Sequence, residues 1–305
     1  MPDLGFGPVP VPGVPNVLEP GVVRLTAPNP GLMTGPGTNT YLVGTAELAV
    51  IDPGPDNESH RAALLEAART RGPIRWVLVT HTHIDHAPGA AALARATGAQ
   101  VIGFGPAEGF TPDLTVGDGW TLQLPASAAG TDPSTPAGTA ALTLQAVHTP
   151  GHASDHLCWL LPEHRMLLTG DHVMHGSTVV IRPPDGHVGE YLASLSRIRD
   201  LTPPLATLAP GHGRLMDHIP EVIDSLVAHR LGRHERVAGA LQRAGSSTVD
   251  GLLSNVYADV TAAQLPVARF SLWAHLRRLT EEGRAEPIDI TPGQDTLQTA
   301  WRWVA

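Results

Sequence analysis

Residues 80–86, with the sequence Thr-His-Thr-His-Ile-Asp-His, carry more potential chemistry than any other segment of the chain. Three imidazoles and one carboxylate fall within six positions, directly after the apolar run 74–79. A strand that ends in such a turn can point successive side chains at one place, and neutral imidazole and carboxylate are ligands that zinc and neighbouring first-row metals accept. The spacing therefore predicts a metal site, which we prefer to a solvated polar turn or a purely structural zinc site.

Three later segments repeat one pattern, an apolar run followed by glycine and a ligand-type residue. They end at Gly151-His152, Gly170-Asp171 and Gly211-His212. A strand, a glycine turn and a ligand in succession are typical of a site built at the ends of sheet strands. The candidates divide into two sets of three plus one shared carboxylate, which predicts two metals about 3.5–4 Å apart in the two-metal hydrolytic arrangement. The predicted ligands are His81, His83, Asp85, His86, His152, Asp171 and His212.

Together these motifs resemble those of the metallo-β-lactamase superfamily over roughly residues 20–215. The resemblance implies an α/β (α+β) fold class, specifically a four-layer αβ/βα sandwich with the metals at the strand ends. It also implies two zinc ions, with iron or manganese as alternatives that the same ligands accept. The first metal would be bound by His81, His83 and His152. The second would be bound by Asp85, His86 and His212, with Asp171 bridging the two.

The resemblance also assigns roles to residues around the ligands. Asp52, within Ile51-Asp52-Pro53-Gly54, matches the family's first motif and would orient a ligand histidine, although Asp-Pro-Gly is also ordinary turn chemistry. Asp85 would orient the metal-bridged hydroxide and pass a proton onward. His175 is expected to face the substrate and to act in catalysis. The expected substrate-binding residues are Ser177, Thr178 and Asn39.

Other histidines crowd the same segments without matching the ligand positions. We expect His148 and His156 to be structural or to support the ligands from behind. His172 follows the bridging carboxylate and is expected to point away from the metals.

Composition excludes several kinds of chemistry. The 20 basic residues are all arginine, so Schiff-base and lysine general-base mechanisms are excluded. The single cysteine, Cys158, lies in an apolar run, which rules out a disulfide framework or a thiolate metal site and predicts a buried, inert thiol. No glycine-rich phosphate loop supports nucleotide binding. The first residues lack a basic and apolar leader, and no apolar run reaches the roughly 20 residues of a membrane span, so we expect a cytoplasmic protein with no membrane partner.

The chain divides into three predicted parts: an extended N-terminal arm at residues 1–20, a hydrolase domain at 21–218 and a winged-helix domain at 219–305. In the second part, strands are predicted at 38–44 and 47–51, helices at 58–70, 87–97 and 189–201, and a surface loop at the Pro/Ser/Thr-rich segment 125–139. In the third part, helices are predicted at 221–243, at about 249–259 and at 266–282, followed by a hairpin from 286–290 and 296–304.

The C-terminal pattern, with Ala228-His229-Arg230 and the segment 276–284, resembles the superfamily branch of lactamase-like hydrolases with an appended winged helix. A winged helix can read a DNA groove. However, the formal net charge of −9 opposes the phosphate neutralisation that drives such binding, so we expect no duplex DNA partner. We favour a domain that forms one wall of the cleft, and self-association through the C-terminal helices with Trp301 and Trp303 is an alternative.

These features predict a binuclear zinc hydrolase whose hydroxide attacks a small acyl substrate, namely a thioester, an ester or a lactone. Cleavage of single-stranded RNA by the same site is the main alternative, because the branch with this architecture includes endoribonucleases. A one-iron sulfur dioxygenase and a non-catalytic DNA-binding regulator are less favoured. Hydrolysis of β-lactams is not expected in a chain without an export signal.

Overall fold

The computed structural model describes residues 3–126, 140–291 and 293–304, which form two large sheets and a C-terminal unit of helices and a small sheet. The strands in chain order are β1 (Gly5–Phe6), β2 (Asn16–Glu19), β3 (Val22–Thr26), β4 (Asn39–Val43), β5 (Leu48–Ile51), β6 (Ile74–Leu78), β7 (Gln100–Gly103), β8 (Leu114–Thr115), β9 (Thr121–Leu124), β10 (Leu142–His148), β11 (Leu157–Leu161), β12 (Met166–Gly170), β13 (Thr207–Pro210), β14 (Leu215–Met216), β15 (Ser246–Thr248), β16 (Ala285–Pro287) and β17 (Ala300–Trp303). The α-helices are α1 (Glu58–Ala68), α2 (Gly89–Thr97), α3 (Val188–Arg199), α4 (Ile219–Ala244), α5 (Val249–Val256) and α6 (Leu265–Glu281).

Each large sheet contains parallel strands whose carboxyl ends lie at one edge. The first sheet has the order β2-β3-β4-β5-β6-β7-β8, and β5 to β8 run parallel in it. The second has the order β1-β14-β13-β12-β11-β10-β9, and β12 and β13 run parallel. Parallel neighbours need a crossover connection, which α1, α2 and α3 supply. The residues that follow β5, β6, β12 and β13 include the predicted Asp52, His81, Asp171 and His212.

The core depends on side chains that alternate between the two faces of each strand. In β5, Ala49 and Ile51 pack between the sheets, whereas Leu48 and Val50 pack against α1 and α2. In β11, Trp159 enters the same core between the sheets, whereas Cys158 joins the cluster under α3 and α4. Because strands have a side-chain period of two, one apolar run can fill both layers. The helix–sheet–sheet–helix order confirms the predicted αβ/βα sandwich.

Local signals place the helices close to their predicted bounds. Helix α1 begins after Asn57, whose side chain accepts a hydrogen bond from the backbone nitrogen of His60 at 3.0 Å. This is the capping contact that an asparagine at this position makes. Helix α2 begins two residues later than predicted, because the backbone nitrogen of Ala87 still donates to the carbonyl of His83 in the preceding turn.

The N-terminal segment, predicted as an extended arm, contributes an edge strand to each large sheet. Gly5 and Phe6 pair with Met216 and Leu215, so β1 adds an edge strand to the second sheet. Strand β2 pairs antiparallel with β3 and adds an edge strand to the first sheet. Each pairing satisfies backbone groups that an open sheet edge would leave exposed.

The C-terminal unit packs three helices against a small sheet of order β15-β17-β16. The predicted hairpin corresponds to β16 and β17, while the sequence analysis missed β15, a three-residue strand that pairs with β17. Trp301 is 1% exposed and packs with Leu272 and Leu276, so it belongs to the hydrophobic core of the C-terminal unit. The three helices with this sheet match the predicted winged helix.

Two further expectations concern the surface of the protein. The predicted loop at 125–139 lies, from residue 127 onward, outside the described residues. Among the residues that the structure describes, no helix combines the length and the apolar character needed to cross a bilayer.

Helix α4 joins the two halves of the molecule and supplies a test of the fold. Leu226 is 1% exposed and packs with Val222 and Ile223 onto the outer face of the second sheet. We expect Leu226→Ala to lower the free energy of unfolding by about 2–5 kcal/mol, because it removes buried methyl groups and leaves a cavity. Leu231→Ala is the matched control, since this leucine lies in the same helix and is 41% exposed. Chemical denaturation that gives equal losses for both variants would contradict this packing.

Candidate metal centre

The loop between β6 and α2 folds as a tight turn that presents four of the predicted ligands. The backbone nitrogens of His86 and Ala87 both donate to the carbonyl of His83, at 3.0 and 3.2 Å. The turn is also fixed from outside, because the carboxylate of Asp155 accepts from the backbone nitrogen of Thr82 at 3.1 Å and from its hydroxyl at 2.7 Å. Sequence reasoning missed Asp155, although its place between two histidines in the segment 152–156 was a signal.

The structure brings all seven predicted ligands into two adjacent groups. The first group has its nitrogens close together, with His83 Nδ1 at 2.9 Å from His81 Nε2 and 3.0 Å from His152 Nε2. In the second, His212 Nε2 lies 3.1 Å from the Asp85 carboxylate and 3.2 Å from that of Asp171. Within each group the candidate ligand atoms all lie within 4.8 Å of one another. The members are His81, His83 and His152 in the first group, and Asp85, His86, Asp171 and His212 in the second.

Asp171 lies between the two groups. Its Oδ1 is 3.3 Å from His86 Nε2 in the second group, and its Oδ2 is 3.8 Å from His152 Nε2 in the first. One carboxylate therefore offers an oxygen to each side, as a bridging ligand does.

Two glycines next to the ligands make this convergence sterically feasible. Gly170 has a φ of 46°, and a Cβ there would lie 2.6 Å from Thr80 Oγ1 and 2.7 Å from His156 Nε2. A Cβ at Gly211 would lie 2.7 Å from the His86 ring and 2.8 Å from the Asp171 carboxylate. Residues with a side chain would push the ligands apart, which explains why glycine precedes both Asp171 and His212.

Three candidate ligand atoms of the second group have no hydrogen-bond partner and are arranged to bind a cation. His86 Nε2, His212 Nε2 and Asp171 Oδ1 are all buried and make no hydrogen bond of acceptable geometry. Buried polar atoms are almost always satisfied, so a cluster of nitrogen and oxygen atoms without hydrogen bonds that point at one place fits a bound cation. The nitrogen and carboxylate set suits zinc, manganese or iron.

The two ligand groups differ in the pKa values of their imidazoles, because carboxylates surround the imidazoles of the second group. In the second group, burial alone would lower the pKa of His86, but the carboxylates of Asp171, Asp52 and Asp85 outweigh it and raise this pKa well above its ordinary value. Burial likewise opposes protonation of His212, yet Asp171 and Asp85 raise its pKa to about 9. In the absence of a metal, protons would occupy this group.

The first group has the opposite balance. Burial, reinforced by the neighbouring imidazoles, lowers the pKa of His81 well below its ordinary value. Burial also lowers the pKa of His152 to about 4, with only partial opposition from Asp171. These imidazoles are therefore neutral at physiological pH and are ready to bind a metal through nitrogen lone pairs.

Asp52 makes the contact with a ligand histidine that the resemblance implies. Its Oδ2 accepts from His86 Nδ1 at 2.8 Å, which leaves His86 Nε2 to face the second group. The same carboxylate accepts from the backbone nitrogen and from the hydroxyl of Thr80, each at 2.7 Å. Asp52 has a φ of 51°, in the left-handed region that aspartate tolerates better than most residues. It thus fixes both the start of the ligand loop and the orientation of one ligand.

A second orienting contact comes from a segment that sequence reasoning did not single out. His152 Nδ1 donates to the carbonyl of Val180 at 2.7 Å, so its Nε2 faces the first group. This contact cannot be predicted from the type of residue 180, because the backbone carbonyl of any residue can accept the hydrogen bond.

Asn39 links the first sheet to the loop that carries His212. Its side chain is fully buried and donates to the carbonyls of Pro210 and Gly213 at 2.9 and 3.0 Å, while its oxygen accepts from the Thr26 hydroxyl at 2.8 Å. Its predicted contact with a substrate stays a prediction.

The other predicted substrate-facing residues lie beside the cleft and not in it. His175 Nε2 pairs with the Asp3 carboxylate at 2.8 Å, in a small cavity near Leu4. Ser177 and Thr178 line a neighbouring pocket against α6. None of the three lines the cleft with the ligands, and their predicted catalytic and substrate contacts stay predictions.

The three other histidines of the ligand segments lie outside the two ligand groups. His156 is buried, with its ring centroid 5.0 Å from that of His81 and its Nδ1 2.9 Å from the Thr149 hydroxyl. His172 is buried against Tyr191 and belongs to neither ligand group. His148 stacks on Phe104 at the surface.

The ligand groups open into a cleft of about 960 Å³. His83, Asp85, His152 and Asp171 line its floor, and much of its wall is apolar. Helix α6 of the C-terminal unit contributes Val267 and Phe270 to that wall, so the cleft lies between the sandwich and the C-terminal unit. The apolar wall residues are Met33, Ile84, Phe110, Val180, Val267 and Phe270.

A comparison with models of known protein families identifies the superfamily to which this arrangement of residues belongs. Residues 33–212, which include every predicted ligand, match the model of the metallo-beta-lactamase superfamily. The chain belongs to this superfamily. Residues 248–291 match the beta-lactamase associated winged helix domain, so the metallo-beta-lactamase fold is followed here by the winged helix that the sequence predicted.

Similar proteins match most of the length of this chain. The chain is 32% identical over 303 residues to the lactamase-like protein adaB of Aspergillus niger, covering 90% of this chain and 86% of that protein. It is 35% identical over 242 residues to an atrochrysone carboxyl ACP thioesterase of Aspergillus fumigatus, covering 76% and 69% respectively. A beta-lactamase domain protein from Burkholderia ambifaria superposes with a TM-score of 0.76 at 20% identity, covering 97% of this chain and 95% of that one, which supports the superfamily fold.

Replacing Asp52 tests its role in holding His86. In Asp52→Asn, the amide cannot accept hydrogen bonds from all three donors, so the His86 ring loses its fixed orientation. We expect metal affinity, measured by competition with a chromophoric chelator, to fall about 10–100-fold. Asp56→Asn is the matched control, because Asp56 lies in the same loop but is exposed and pairs with Arg61. Equal affinities for the two variants would contradict the role.

The two ligand groups should respond differently to pH. A protonated imidazole cannot bind a metal, so binding at the second group must displace protons below the pKa of His212, near 9, and should weaken as the pH falls. Binding at the first group should release fewer protons near neutral pH, since burial already keeps His81 and His152 neutral.

Calorimetric zinc titration in buffers of different ionisation enthalpy counts the protons released at each step. His152→Ala, which removes one ligand of the first group, identifies the step that belongs to the second. Equal proton release at both steps would contradict the assignment.

Proposed function

We propose that this protein is a metal-dependent hydrolase of acyl thioesters, with esters and lactones of similar shape as secondary substrates. The observation that carries this proposal is the pair of ligand groups that share Asp171 at the floor of a largely apolar cleft. In such a site, metal ions at the ligand groups would support hydrolysis, and the apolar wall suits an acyl chain. The thioesterase name of one relative supports the same substrate class.

The seven ligands would hold two divalent ions, for which we propose zinc. When bound, such ions supply a water nucleophile active at neutral pH and polarise a carbonyl oxygen. The chain itself sets the geometry: Asp52 orients His86, the Val180 carbonyl orients His152, and Asp171 faces both groups. Asp85 lines the cleft, with its carboxylate facing His212, and can accept the proton that leaves the attacking water.

The apolar wall favours an acyl substrate. Phe110 is buried behind the wall, while Ile84 is 84% and Met33 46% exposed at the cleft. Exposed apolar side chains grouped around a concave site mark a binding surface for an apolar ligand. An acyl chain would cover these side chains and leave the thioester carbonyl at the ligand groups.

The charges of the winged helix argue against RNA as the substrate and against duplex DNA as a partner. Arg269 pairs with Asp250, Arg278 with Glu282, and Arg284 with Glu235. Arg277 lies 3.6 Å from the buried Asp295 carboxylate. Arginines that already neutralise carboxylates contribute little to the phosphate binding that nucleic acids require. The winged helix instead contributes a wall of the cleft.

Metal content distinguishes this proposal from the iron dioxygenase alternative. Both complete ligand groups are assembled in the structure, whereas a one-metal enzyme needs only one of them. Bound iron together with oxygen uptake would favour the dioxygenase, while two zinc ions and hydrolysis favour the thioesterase.

Side-by-side turnover tests the proposal. Protein loaded with zinc is assayed with an acyl thioester of N-acetylcysteamine and with a labelled single-stranded RNA. We expect thioester hydrolysis and no RNA cleavage, and we expect Asp171→Ala to lose bound metal and on the order of 10²-fold in activity together, because both ligand groups lose a shared oxygen. Asp217→Ala, an exposed aspartate outside the cleft, is the control. RNA cleavage that Asp171→Ala abolishes, without thioester turnover, would refute the substrate class.

A further inference from the structure

One feature of the cleft plays no part in metal binding or in the apolar wall. Arg182 is exposed and is the one arginine among the described residues that line the cleft. Its guanidinium carbon lies 4.6 Å from the centroid of the Phe270 ring on α6. The structure shows no ion pair for Arg182 with any described carboxylate, including Glu108, the exposed acidic residue of the same lining.

Two other arginines near the junction of the two units use their donors within the protein. Arg233 pairs with Asp259. Arg230 is buried and donates to the carbonyl of Val179 at 2.8 Å. The donors of Arg182 thus remain available at the cleft while those of the neighbouring arginines are used.

The backbone that carries Arg182 is held in place on several sides. Val180 accepts from His152 Nδ1, and the nitrogen of Ile181 donates to the Ser271 hydroxyl of α6 at 3.3 Å. The carbonyl of Arg182 itself accepts from the nitrogen of Gly186 at 2.8 Å. The backbone at Arg182 is therefore held relative both to a ligand histidine and to the winged helix, whose Phe270 ring packs against the guanidinium.

A guanidinium stacked on an aromatic ring is suited to binding an oxyanion. The ring covers one face of the planar group and limits its motion, while the N–H donors at the edge stay free for a bidentate contact. Phosphate and carboxylate match this fork of donors. A ligand that uses the whole cleft would place its apolar part against Ile84 and Val267 and an anionic group against Arg182.

We propose that Arg182 and Phe270 form an anion subsite, which binds a phosphate or carboxylate that the substrate carries away from its scissile carbonyl. The inference rests on the proposed function and narrows its substrate class to anionic acyl thioesters. The anion can belong to the thiol part, as in a phosphopantetheine thioester, or to the acyl part, as in a thioester of a dicarboxylic acid.

Binding of non-hydrolysable thioethers tests the subsite independently of catalysis. The probes are an S-alkyl pantetheine, the same compound with a 4′-phosphate, and an S-alkyl pantetheine whose alkyl chain ends in a carboxylate. Dissociation constants are measured for the wild-type protein, for Arg182→Gln and for Arg182→Lys. Arg95→Gln is the control, because Arg95 is an exposed arginine of α2 outside the cleft.

We expect one of the anionic probes to bind the wild-type protein about five- to tenfold more tightly than the neutral probe, as a partly exposed charge-assisted contact would allow. Arg182→Gln should abolish that gain and leave the neutral probe unaffected, Arg182→Lys should retain part of it, and Arg95→Gln should retain all of it. The probe that shows the gain identifies the source of the anion.

Two outcomes would overturn the subsite: wild-type protein that binds neither anionic probe more tightly than the neutral one, or a gain that survives in Arg182→Gln. Turnover of the neutral pantetheine thioester is recorded in parallel. If that thioester is hydrolysed but the gain is absent, the subsite fails while the thioesterase proposal stands. If no thioester is hydrolysed but the Arg182-dependent gain is present, the thioesterase proposal fails and the anion subsite stands.

Discussion

The Asp171 carboxylate is the charge around which the site is arranged. Its oxygens lie 3.2–3.8 Å from imidazole nitrogens of His86, His152 and His212, which come from three different loops. A carboxylate this deeply buried is costly unless positive charge surrounds it, so protons or metal ions must compensate it. The contrast between the two ligand groups follows from its position, because the imidazoles nearest to carboxylates retain protons and those that face other imidazoles do not.

Such convergence requires the two sheets to be joined at the edge where the ligands lie. Asn39 and Tyr41, on the first sheet, both donate to the carbonyl of Pro210 at the end of β13, and the backbone nitrogen of Asn39 donates to Gly211. These buried bonds hold His212 against the sheet that supplies His86. A polar layer inside an otherwise apolar sandwich is tolerated because each of these donors has a partner.

The sequence predicted the features that depend on the local spacing of residues. The ligand histidines and Asp52 follow strand ends in recognisable motifs, and the resemblance that these motifs carry predicted the sandwich. It did not reveal contacts between residues far apart in sequence: the Asn39 amide ties two loops together, and His175 pairs with Asp3 across 172 positions. The Val180 carbonyl and the stacking of Arg182 on Phe270 leave no sequence signal, because each depends on how the C-terminal unit packs against the sandwich.

The C-terminal unit is therefore part of the site and not an independent module. Ser271 of α6 bonds to Ile181, the residue between the carbonyl that orients His152 and the arginine at the cleft. A shift of α6 would move both, since three consecutive residues share one short segment of backbone. Binding at the wall and metal geometry are thus mechanically linked through this segment. The packing of α6 thus bears on both the wall of the cleft and the orientation of His152.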